Sequence, residues 1–439
     1  MYDLIFKNGN VFTNENKIQK IDLGIKSGVI STIGNLNNSK AKNIIDLKNL
    51  LVLPGCIDSQ VHFREPGLIY KEDIESGTRG AILGGITSIF EMPNTKPNTT
   101  SIKAFNQKME IAKKKAFCNY AFFIGASKNN YYDLEELEKL SGCSGVKIFM
   151  GSSTGNLLVE DDENLRKILS NGKRRVSVHS EDEFRLRERK YIIEGGNTTV
   201  ADHPLWRDVE TAVTSTKRLI KIATECSRNI HILHISTKDE IEIIGKNKKY
   251  VSSEVTPQHL YFHSPECYTE LGSLCQMNPP IRTKDHKEGL WDGIRKQIID
   301  VIGSDHAPHT IDEKKKKYPD CPSGMTGVQT LVPVMLNFVN EKKLSISDFV
   351  RLTSTNPAKL FGVKNKGFIK IGFDADLTIV DLKKKHMVEN KDIVSKSSWS
   401  PYDGKIFQGW PVMTVIHGNI VMRENEIIGK RSGHRVLFS

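Results

Sequence analysis

The sequence predicts an α/β protein: a (β/α)8 barrel of the TIM type with a small β-sandwich domain formed from both chain ends. Apolar strand-like runs recur eight times through the middle of the chain, with helix-length amphipathic stretches between them. That is the pattern of βα repetition and a parallel sheet. Both ends instead show short alternating strands broken by turn residues. Polar side chains able to bind metals stand where the apolar runs end, and a barrel gathers its chemistry at such ends. The expected division is 1–53 plus 364–439 for the β-domain and 54–363 for the barrel.

At the N-terminal end, Tyr2–Phe6, Asn10–Thr13, Ile21–Ile25 and Val29–Ile33 alternate apolar and polar residues, with turns expected at Asn8-Gly9 and Ser27-Gly28. The barrel runs are Leu51–Ile57, Thr87–Phe90, Tyr120–Ile124, Val146–Phe149, Val176–Val178, Ile230–Leu233, Val251–Val255 and Ile299–Ile302. Eight units in about 300 residues suit a closed barrel better than an open sheet. Gly367–Ile369, Ala375–Val380, Thr414–Asn419 and Ile420–Arg423 then read as strands again.

Hydrophobic residues make up 38% of the 439 and charged residues 26%, which is ordinary for a globular protein. No run approaches the roughly 18 apolar residues of a membrane span. The start, Met1 to Lys7, lacks the features of a secretory signal, so a cytoplasmic address is expected. The seven cysteines are odd in number and form no CxxC pair, which favours reduced, mostly buried thiols. A net charge of +11 raises the question of nucleic acid. The lysines are scattered, however, and the densest run, Lys314–Lys317, stands in a polar stretch without interleaved aromatics, so a solvated loop is expected there. The excess charge suits the gathering of anionic substrates.

The first barrel run leads into Gln60 and His62, which share one face of an extended chain. Run four ends in Lys147, run five in His179, run six in His234 and run eight in Asp305. A lone histidine at a strand end is more often packed or at the surface than a ligand. Several polar groups ending strands of one barrel converge on a common mouth, and their nitrogen and oxygen set suits zinc or another first-row divalent metal. An ammonium cannot bind a cation. Lys147 is therefore a charge or a substrate contact unless carbon dioxide converts it to a carbamate.

Asp-x-x-Val-His-Phe-Arg-Glu-Pro-Gly at 58–67, Glu-Met-Pro-Asn-Thr at 91–95, Gly-Val-Lys-Ile-Phe-Met-Gly-Ser at 145–152, His-Ile-Leu-His-Ile-Ser at 231–236 and Gly-Ser-Asp-His-Ala-Pro-His at 303–309 resemble the dihydroorotase family of the amidohydrolase superfamily. Gly367–Leu377 looks like that superfamily's return into its small β-domain, and the resemblance spans nearly the whole chain. It implies a carboxylated Lys147 bridging one or two zinc ions. His179 and His234 would hold the more exposed ion, and His62 and Asp305 the more buried one, with Asp305 also shuttling protons. Arg64, Asn94 and His309 would grip a substrate carboxylate, Asn278 would belong to the pyrimidine pocket, and the loop 323–327 would offer backbone contacts to the ring. Most relatives carry histidine where this chain has Gln60, a weaker donor, so the buried metal position is expected to be weak or empty. The implied activity is reversible cyclisation of N-carbamoyl-L-aspartate to (S)-dihydroorotate in pyrimidine biosynthesis, by a homo-oligomer that could partner aspartate transcarbamoylase.

Two alternatives stand beside this. One is another cyclic amidase, an allantoinase or a hydantoinase/dihydropyrimidinase, against which Arg64 and Asn94 argue. The other is a silent barrel serving as a structural partner of aspartate transcarbamoylase, which only Gln60 favours. Among lesser motifs, His259 reads as packed or behind the ligands, Asp202 as a helix cap ahead of Pro204, and Gly151 to Gly155 as an active-site loop.

Overall fold

The computed structural model describes residues 1–13, 15–152 and 157–439. Eight strands form the barrel: β6 (Cys56–Val61), β7 (Ile86–Glu91), β8 (Asn119–Gly125), β9 (Cys143–Phe149), β10 (Val176–His179), β11 (Ile230–Ile232), β12 (Val251–Val255) and β13 (Val301–Ile302). They pair in chain order, each parallel to the next. The ring nearly closes where His62 N–H donates to His306 O at 2.8 Å. Every residue of these strands is buried, as a parallel sheet wrapped in helices requires.

The small sheet has nine strands: β1 (Tyr2–Phe12), β2 (Ile18–Lys26), β3 (Val29–Gly34), β4 (Ala41–Asp46) and β5 (Leu51–Pro54) from one end, β14 (Leu377–Met387), β15 (Ile406–Ile416), β16 (Asn419–Arg423) and β17 (Glu426–Ile427) from the other. The two ends join where β5 runs antiparallel to β14, from Leu51 opposite Val380 to Pro54 opposite Leu377. Phe6, Leu23, Ile25, Val52, Leu377, Ile379 and Val415 form its core.

Several sequence expectations need correction. Leu51–Ile57 is two strands in two sheets, joined at Gly55, where any side chain would run into Thr87. Asn8-Gly9 is a bulge inside β1 rather than a turn: the register with β2 shifts between Phe6 and Gly9, Asn8 sits at φ 55°, and its N–H donates to Asp22 Oδ1. Ser27-Gly28 does form the hairpin turn, with φ of 52° and 78°. Gly367–Ile369 forms no strand. Asp202 holds the N-cap position of the helix His203–Trp206, but its carboxylate makes no capping hydrogen bond there and instead accepts from Thr199 N–H, one turn earlier. Lys314 is not solvated: its side chain is fully buried, while Lys315 to Lys317 are exposed.

All seven cysteines are free thiols, six of them buried. Among the described residues no helix is long and apolar enough to cross a membrane. The last residues cover the N-terminal end of the barrel. Val436 N–H donates to Tyr120 O, and Phe438 meets Phe90 edge-on at 5.7 Å. Nearby, Asp374, Asp376 and His417 enclose the Lys366 ammonium, 2.8 and 2.6 Å from the two carboxylates, so a lysine already serves as their cation.

Candidate active site

The C-terminal ends of the strands surround a small cavity lined by Gln60, His62, Lys147, His179, His234 and Asp305, with Asn278, Ser323 and Gly324 at its rim. Three chemistry-bearing residues just past their strands adopt positive φ: Arg64 at 62°, His234 at 38° and Asp305 at 44°. Left-handed backbone is unfavourable for such residues, and strain of this kind concentrates at functional sites. The six ligand-type residues expected from the sequence are thus brought together. Of the loop expected at 151–155, residues 153–155 lie outside the described residues.

Lone pairs converge on this cavity. Asn94 Oδ1 accepts from His62 Nδ1 at 2.7 Å, so the His62 Nε2 lone pair faces Asp305 Oδ1 across 3.2 Å. The carboxylate of Glu181 accepts from His179 Nε2 at 2.8 Å, leaving the His179 Nδ1 lone pair 3.0 Å from His234 Nε2. Gln60 Nε2 donates to Asp305 Oδ1 at 2.9 Å, while Gln60 Oε1 and Lys147 Nζ are buried with no hydrogen-bond partner among the described residues. Burial lowers the pKa of His62, His179 and His234, which keeps all three imidazoles neutral and able to ligate. Facing acceptors and orphaned polar atoms of this kind fit a divalent metal.

Glu181 was not anticipated. Burial opposes its charge, but Arg207 and His179 outweigh that and hold it at about 2. Arg207 donates to Glu181 and to Ser152 O, so one guanidinium fixes both the tautomer of His179 and the start of the neighbouring loop. Beneath the ligands, Glu254 of β12 accepts from Ser59 Oγ, and burial pushes its pKa up to about 8. An acid raised above its unfolded value of about 4.3 keeps in the native state a proton that the unfolded chain has released. Its stabilising effect is complete below about pH 4 and is lost as pH rises through about 8. Glu254→Gln removes that dependence. Its melting temperature relative to the unaltered protein should climb between about pH 5 and about pH 8.5. A constant difference in thermal melts would show that Glu254 is ionised throughout.

The substrate-side candidates lie at the rim. Arg64 is buried, donates through Nε to Pro308 O at 3.3 Å, and places Nη2 3.4 Å from His309 Nε2. Burial pulls it down to about 10, still fully cationic at neutral pH. Glu65 pairs with Lys115 and Glu72 with His306, and among the described residues no carboxylate forms an ion pair with Arg64. His309 Nε2 donates to Ser323 O at 3.0 Å, and its Nδ1 accepts from Lys71 Nζ at 3.0 Å. Asn278, half-buried, accepts through Oδ1 from His203 Nε2 at 2.9 Å. His259 is packed, between Thr256 Oγ1 at 2.9 Å and Pro279 O at 3.1 Å. Lys108, on the helix Ile102–Lys115, is fully buried against Glu91 and donates to Met92 O at 3.1 Å, bracing the segment that carries Asn94. From sequence, only the place of Lys108 beside Phe105, Met109 and Ala112 on the apolar face of an amphipathic helix could have revealed it.

The fold and the sequence as a whole match known proteins. Residues 51–421 match the Amidohydrolase family, and the chain belongs to it. It is 34% identical over 437 residues to the dihydroorotase of Thermococcus kodakarensis, covering 99% of this chain and 98% of that one. To the dihydroorotase of Pyrococcus furiosus it is 35% identical over 423 residues, covering 94% and 92%. Among solved structures it resembles the L-hydantoinase (dihydropyrimidinase) of Arthrobacter aurescens, with a TM-score of 0.95, 28% identity and 100% of both chains covered. The dihydropyrimidinase of Brevibacillus agri gives a TM-score of 0.91, with 26% identity and 99% of each chain covered. These matches support a cyclic amide hydrolase.

Proposed function

We propose that the chain is a dihydroorotase, interconverting N-carbamoyl-L-aspartate and (S)-dihydroorotate plus water in pyrimidine biosynthesis. The buried Arg64 guanidinium, which forms no direct ion pair with a carboxylate among the described residues, is the observation that supports this most. A buried cation with no direct carboxylate contact is costly, and a planar fork beside a hydrolytic centre suits a substrate carboxylate. Dihydroorotate carries that carboxylate and a simple hydantoin does not. The curated relatives point the same way, whereas the structural neighbours favour a hydantoinase as the second reading.

His179 and His234 would hold one zinc ion, His62 and Asp305 a second, and Lys147 would bridge them as a carbamate. Burial brings Lys147 down to about 7, so at neutral pH much of it is the free amine, whose lone pair can attack carbon dioxide and release a proton to give the carbamate. A divalent metal, when bound, lowers the pKa of water and polarises a carbonyl. Asp305 accepts the proton from the attacking water and returns it to the departing ring nitrogen, and in the cyclising direction the transfers reverse. Asn94 fixes the His62 ring, while Arg64 and His309 orient the carboxylate and exclude alternative poses. Gln60 offers a neutral amide oxygen where imidazole is usual, which makes the His62 side the weaker metal position. The same proposal carries a cytoplasmic address, self-association and aspartate transcarbamoylase as a partner to test.

Turnover of dihydroorotate, allantoin and hydantoin should be measured side by side. Dihydroorotate is expected to be preferred, and Arg64→Lys to raise its KM by roughly 10- to 100-fold with kcat nearly unchanged. Wild-type affinity in that variant would remove the carboxylate role. Hydantoin as the preferred substrate would favour the second reading, and no turnover with any of the three would favour the silent barrel.

A further inference from the structure

Lys314 closes the short helix Ile311–Lys314, whose start Thr310 and Glu313 secure with a reciprocal capping box. Its side chain turns away from its exposed lysine neighbours and enters the protein. There Nζ donates to Pro322 O at 2.9 Å, Gly324 O at 3.1 Å and Gln276 O at 3.3 Å, with the Trp399 ring 5.7 Å away. Burial pulls Lys314 down to about 7, and the ammonium form, with three N–H groups, is the one whose donors match the three carbonyls without a carboxylate.

Those carbonyls belong to two separate segments. Gln276 leads directly to Asn278, and Pro322 to Gly324 form the opposite lip; Asn278, Ser323 and Gly324 all line the cavity. The segments are cross-braced around the lysine. Gly324 N–H donates to Gln276 O at 2.9 Å, and Gln276 Nε2 donates to Ser323 Oγ at 3.0 Å. Gly324 sits at φ 143°, and a side chain there would collide with Ala307 O. The lip therefore has little latitude of its own, and Lys314 fixes its distance from Asn278.

We propose that Lys314 is a positioning residue for substrate affinity, tying segments 276–278 and 322–324 into one rigid frame for the amide edge of a cyclic ureide. The ring identity rests on the proposed function; the frame itself does not. Lys314→Met keeps the chain length and removes the donors, and Lys314→Gln keeps part of the hydrogen bonding.

Steady-state kinetics with dihydroorotate and with hydantoin, zinc content, and amide hydrogen exchange over 320–326 test this together. The expected result for Lys314→Met is KM higher by roughly tenfold or more, kcat within about threefold, unchanged zinc and faster exchange in the lip, with Lys314→Gln intermediate. If the methionine variant does not fold, the glutamine variant carries the comparison. Unchanged KM with unchanged exchange overturns the proposal, and so does a parallel fall in kcat and zinc, which would make Lys314 an ordinary core residue. A protein that turns over only hydantoin sinks the dihydroorotase assignment but leaves the KM comparison on hydantoin able to test Lys314.

Discussion

Asp305→Asn is expected to lower kcat by roughly 10³- to 10⁴-fold while KM for dihydroorotate changes little. The substitution keeps the shape and an oxygen, so Gln60 Nε2, now 2.9 Å from Oδ1, retains an acceptor. It removes the capacity to take up and return a proton. Asp305 also faces His62 Nε2 at 3.2 Å, so part of the loss could arise from a weakened metal position. Measuring zinc by mass spectrometry in the same preparation separates the two effects. Zinc retained with kcat collapsed identifies the proton transfer, and a loss of less than about tenfold would remove Asp305 from that role.

Lys147→Met should be as damaging by a different route. Lys147 Nζ is buried, has no hydrogen-bond partner among the described residues and lies 4.4 Å from the Phe149 ring centre. An apolar side chain therefore fills the space without a folding penalty, but it cannot supply an anionic bridge. Bound zinc is expected to fall to near zero and kcat/KM by roughly 10⁴-fold or more. The companion variant Gln60→His should shift zinc in the other direction, from about one tightly held ion toward two, because imidazole is the stronger donor. Wild-type zinc content in Lys147→Met would rule out the bridge.

Much of the barrel was legible because its strands are apolar on both faces, and such runs stand out against amphipathic helices. The strand-end ligands were legible for the opposite reason: His179, His234 and Asp305 interrupt apolar runs at the same structural level. The joint at Gly55 was hidden, since two strands of different sheets read as one run when a single glycine separates them. The Asn8-Gly9 bulge carries the same residues as a turn, and only pairing with β2 distinguishes them. The supporting charges were hardest to see. Glu181 meets Arg207 across 26 residues and Ser59 meets Glu254 across 195, distances over which no local pattern operates. Lys314 was misread because its three neighbours are solvated and composition cannot reveal which lysine turns inward.

The left-handed backbone at Arg64, His234 and Asp305 has a bearing on how this protein can be engineered. Strain of this kind costs on the order of 1–3 kcal/mol per residue, and glycine would relieve it. Selection for heat resistance alone would thus reward replacement of residues that bind and react. Libraries aimed at thermostability should hold these three positions constant and search the helices and the small sheet, where sturdiness and turnover are not opposed.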